Sequence, residues 1–180
     1  MKRALISTVA ILLCLVMVAC TQTQIITDID VALTAASIAL PIVASAVGLA
    51  PATVTAIINW IQAALKGLSA TSDALVTGGP KAVVAAKITA ALAGVVSSMP
   101  DLQGLPASIA SVAQALANDV QGILAQYGTN ALTLSAGKSD ALGGSNIHFG
   151  THDRQRLIAL RAKAMGILAD SEVRMQMLKK

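Results

Sequence analysis

Apolar residues follow two different rhythms along this chain. From Ala4 to Val18 they form a nearly continuous run. From Ile26 onward they return in steps of three and four, the period of one face of an α-helix. Ile26, Ile29, Leu33, Ala36, Leu40, Val43 and Val47 keep that spacing and predict a first helix. Thr27 or Asp28 can cap it, Pro41 should kink or split it, and Gly48 should end it. Pro51 opens a second helix, with Val54, Ile57, Ile58, Ile61, Leu65, Leu68 and Leu75 on one face, closed by Gly78 and Gly79. Pro80 opens a third, striped by Val84, Ile88, Ala91, Leu92 and Val95 and ending near Met99. A fourth follows Gly104-Leu105-Pro106, striped by Ile109, Val112, Ala113, Leu116, Val120, Ile123 and Leu124, and stops around Tyr127-Gly128.

The breaks share a grammar of glycine followed by proline, the asymmetry expected of helix ends and starts. Four helices joined by short loops favour an antiparallel bundle. The rhythm then lapses. Residues 128–150 are rich in Gly, Ser, Asn and Thr, lack periodicity and predict a flexible linker. Thr151 or Asp153 caps a last helix. Leu157, Leu160, Ala164, Ile167, Leu168, Met175 and Leu178 stripe it, and Arg154, Arg161, Lys163, Asp170, Glu172 and Arg174 lie mostly elsewhere on it. The sequence therefore predicts an all-α protein with a helical body over 27–127 and a separate basic amphipathic helix over 151–180.

Composition sharpens this picture. Apolar residues make up 55% of the chain and aromatic residues 2%, so the apolar content is mostly Ala, Val, Leu and Ile. Alanine is the best helix former. Short side chains also bury little area, at about 25 cal/mol per Å², so the body must pack closely, self-associate or touch lipid. Stacking platforms for sugars or single-stranded nucleic acid need rings, and only Trp60, Tyr127 and Phe149 supply them. Charge is uneven: the body is nearly neutral, and the bases cluster after Gly128, which suggests a tail that binds a surface.

The first rhythm has its own meaning. Lys2 and Arg3 precede the run, which is short for a span of about 20 residues and suits a secretory signal. The run ends in Met17-Val18-Ala19-Cys20. This stretch resembles the lipobox of bacterial lipoproteins, with Met17 where leucine is usual. The resemblance implies a signal peptide over 1–19 and lipid on Cys20, then a tether to residue 26. It also implies anchoring on the periplasmic face of the outer or inner membrane, with Thr21 favouring the outer. Each buried methylene contributes about 0.8 kcal/mol, so two or three acyl chains would hold the protein in place. After the cut one cysteine remains, and no intrachain disulfide can form.

Sites of chemistry are weak. His148 and His152 stand four apart, but no cysteine pair or glutamate accompanies them as zinc motifs require. Gly137-Lys138-Ser139 resembles the end of a phosphate loop without its first glycine. No nucleophile elbow is present, and the body holds no Glu. The sequence thus points away from an enzyme, a metal or cofactor, a small-molecule substrate and nucleic acid. What remains is a lipid-anchored envelope protein with a structural or interaction role. Its expected contacts with a partner or an anionic membrane are Arg154, Arg156, Arg161, Lys163 and Trp60, Trp60 serving either as core or as an interfacial anchor. The alternative is a membrane-active protein of pore or lysis type. No charge falls between Asp30 and Lys66, so residues 31–65 could insert as a hairpin.

Overall fold

A computed structural model describes residues 24–46, 48–128 and 146–178. The expected signal peptide, Cys20, Gly137-Lys138-Ser139 and most of the expected linker lie outside the described residues.

The described residues form five helices: α1 (Gln24–Ala44), α2 (Pro51–Thr77), α3 (Lys81–Ser97), α4 (Ala107–Tyr127) and α5 (Thr151–Leu178). The only strands among them are β1 (Gly79–Pro80) and β2 (Asn146–Ile147). The all-α expectation holds. The apolar stripes read from the sequence are the buried ones: Ile26, Ile29, Leu33 and Leu40 on α1, and Ile57, Ile58, Ile61, Leu65 and Leu68 on α2, are almost inaccessible. The residues expected to break the helices do so. Pro51 is the first residue of α2, where a missing N–H costs nothing, and Pro80 and Pro106 hold extended backbone just ahead of α3 and α4. Gly78 closes α2 at φ +66°, its N–H donating to the Ala74 carbonyl at 3.0 Å.

α1 differs from expectation at both ends. It already includes Gln24, and Ile25 and Ile26 are buried, so the tether to residue 26 is shortened. It also runs through Pro41 and stops at Ala44. A proline so near a C-terminus disturbs little helix beyond it.

α2 holds the middle of the structure, packing on α3 along one side and on α5 along another. Gly67 marks the crossing with α3. A Cβ there would stand 2.7 Å from the Ala91 carbonyl oxygen and 2.9 Å from Leu92 Cδ2, so only glycine allows the two backbones this close. α5 runs antiparallel to α2: Gln62 Nε2 donates to Ser171 Oγ at 2.9 Å, Arg161 pairs with Asp73, and Arg154 reaches the Val76 carbonyl. α1 lies beside α5 in the same direction, since Lys163 meets Asp30 while Arg174 and Met177 share a groove with Pro41, Ala44 and Ser45.

The separate terminal helix is therefore a correction. Leu157, Leu160, Ala164 and Leu168 join the same apolar core as α1 to α4. The stripe that suggested a docking helix is buried against the protein's own α2. The end of the expected linker is also structured. β2 pairs antiparallel with β1, Gly79 opposite Ile147 and Pro80 opposite Asn146, and Phe149 is buried.

Candidate functional site

The basic residues of α5 divide by what they touch. Arg161 Nη1 lies 2.8 Å from Asp73 Oδ1. Lys163 Nζ lies 2.7 Å from Asp30 Oδ1 and donates to Thr34 Oγ1 at 3.1 Å. Arg154 donates through Nε and Nη2 to the Val76 carbonyl, at 3.2 and 2.9 Å. Arg156 is exposed and has no ion pair among the described residues. Three of the four basic residues expected to reach outward are thus held on α1 and α2. The cause is α5 itself: once its apolar stripe is buried, the charges flanking that stripe fall at the helix–helix edges.

Of the two readings of Trp60, core and interfacial anchor, the structure shows the core. Its side chain is buried, and Nε1 donates to the Val95 carbonyl at 2.9 Å. An indole needs a polar partner when it leaves water, and the last turns of α3 supply one. Trp60 therefore ties α2 to α3 and is not an interfacial anchor. Ser171 was invisible to sequence reasoning. It is fully buried, accepts from Gln62 and donates to the Leu168 carbonyl at 2.6 Å. A serine on a helix gives no hint that it will be matched across an interface.

One cluster of titratable groups lies between α1 and α4. Burial raises the Asp28 carboxyl above its ordinary range, and its Oδ2 is enclosed without a hydrogen-bond partner. Burial also raises Asp119, with Asp28 adding to the shift. Tyr127 is pushed up to about 12, first by burial and then by the Asp28 charge. The histidines do not join it. His152 is widely exposed, 3.7 Å from Asp153 Oδ1, and His148 lies near Gly78. No group of three or more metal-ligating side chains occurs among the described residues.

The outward side of α5 is the most distinctive surface. Ile158, Met165 and Val173 are about half exposed at 53, 52 and 50%. Ala162 and Ala169 are exposed between them. Ile158, Ala162, Met165 and Ala169 follow one another in steps of four, three and four, which keeps them on one face. This uncharged stripe lies opposite the buried one, so α5 is apolar on two sides. α1 also exposes Val31 and Ile38, each 50% accessible. α1 is also long and apolar enough to cross a membrane by length and composition. No family model, curated protein or solved structure matches the chain.

Proposed function

We propose that this is a bacterial envelope lipoprotein that acts by position and contact, without catalysis. Acyl chains on Cys20 hold it to the periplasmic face of the outer or inner membrane, and an antiparallel helical body presents α5 to its surroundings. The observation that carries the anchor is Val18-Ala19-Cys20 at the end of an apolar run behind Lys2 and Arg3, four residues ahead of Gln24 and α1. The outward stripe of α5, rather than its arginines, supports the contact role, because those arginines are largely held within the protein. The test is mass spectrometry of the mature amino terminus. A diacylglyceryl Cys20 is expected, lost in Cys20→Ala together with membrane retention. A free amino terminus at another residue rejects the reading.

A second reading has one observation in its favour. The apolarity of α1, at mean hydropathy 1.7, suits residues 31–65 inserting as a hairpin that lyses or perforates membranes. Insertion would have to withdraw Leu33, Leu40, Ile57, Ile58, Ile61 and Leu65 from the core. At about 1.5–3 kcal/mol for each large apolar side chain, lipid must replace every one of those contacts. Resistance of Cys20→Ala to alkaline carbonate extraction would favour this reading; release into the soluble fraction would favour the anchored body.

A further inference from the structure

The geometry points to a second copy of this chain as the partner of α5, docked antiparallel across a two-fold axis near Ala162 and Met165. Three observations carry it. First, the exposed stripe alternates in size: Ile158 and Met165 are large, Ala162 and Ala169 small. Steps of four and three are the spacing of a helix–helix seam. Antiparallel pairing about a point between Lys163 and Ala164 sets Ile158 against the partner's Ala169, and Met165 against the partner's Ala162. Each of these pairs then sets a large side chain against an alanine, which lets the two helices approach closely. Parallel pairing would set alanine on alanine and methionine on methionine.

Second, charge agrees with the same register. Glu172 has no cationic partner among the described residues, and Arg154 holds only a carbonyl. The two-fold brings Glu172 of each copy beside Arg154 and Gln155 of the other, closing the apolar seam at both ends. Third, the stripe is exposed along its length among the described residues. α5 has 28 residues, about 42 Å at 1.5 Å per residue, and its outward side carries no other element of the described chain. A two-fold contact of this kind is the commonest symmetric association.

This inference rests on the contact half of the proposed function and not on acylation, so the two fail separately. The test is the mass of the full chain extracted in mild detergent, by sedimentation velocity with the detergent contribution removed. Two chains per particle are expected for the wild type. One is expected for Ala162→Glu/Met165→Glu, with helical circular dichroism and Trp60 emission unchanged. Glu172→Arg should raise the dimer dissociation constant about tenfold, the effect of 1.4 kcal/mol, and Arg154→Glu in the same chain should restore it. A single-chain wild type at tens of micromolar overturns the inference, as does a dimer that survives the double glutamate variant with its fold intact. If that variant unfolds, Ala162→Cys/Met165→Cys decides. Oxidation should link position 162 of one chain to 165 of another, and absence of that link rejects the register. A single-chain protein whose α5 stripe binds anionic vesicles would assign the face to lipid and reject the dimer.

Discussion

At the scale of single residues, the structure separates positions that look alike in sequence. Gly67 and Gly122 are both helix-interior glycines. Gly67→Ala must push against a carbonyl oxygen at 2.7 Å, and forced overpacking costs about 1–3 kcal/mol. Gly122 has nothing within 4 Å of the added Cβ, so Gly122→Ala should stabilise by about 0.5–1 kcal/mol through its unfolded state and helix propensity. Thermal melts should move in opposite directions. Asp28 predicts a pH dependence. Its folded carboxyl binds a proton more tightly than the ordinary 3.8 of the unfolded chain, so the native state takes up protons in the window above 3.8. The destabilisation is absent below that window, grows as pH rises through it and is complete above the raised value. Asp119 has the same sign. Asp28→Asn should therefore raise the melting temperature at pH 7, and the difference from wild type should vanish as pH falls below 3.8.

At the scale of elements, α5 is the one whose role changed. Deleting residues 151–180 should collapse the body rather than trim an appendage, seen as loss of cooperative unfolding by circular dichroism. Leu157→Ala, at a fully buried position, should cost about 2–5 kcal/mol, whereas Arg161→Ala removes a half-exposed pair worth about 0–1 kcal/mol. Denaturant titration distinguishes them. The four body helices and the ends of α2 to α4 were legible in the sequence because Leu, Ile and Val sit at helical spacing between Gly and Pro, whereas α1 starts earlier than expected and runs through Pro41. The stripe on α5 was legible for the same reason, but its destination was not. Periodicity reports that Leu157, Leu160, Ala164 and Leu168 share a face; it does not say whether that face meets another molecule or the chain's own α2. The sequence left Trp60 open between core and anchor, and the Val95 carbonyl 35 positions away reveals its place. The outward stripe was overlooked because Ala162 and Ala169, between Ile158 and Met165, do not register as apolar landmarks.

At the scale of the whole molecule, one connected core joins all five helices, so unfolding should be a single transition. Trp60 is the only tryptophan and sits in the α2–α3 contact, so its red shift on denaturation should coincide with loss of the helical signal. Two separated transitions would show that α5 or α1 melts alone. The partnership of α2 with α5 also has a temporal side. Synthesis runs from the amino end, so α2 emerges long before α5, the 28-residue helix that packs on it. Until α5 has been made, the side of α2 that carries Gln62 and Asp73 lacks its cover. The nascent chain is obliged to remain open and available to chaperones, and the core closes only when α5 is released.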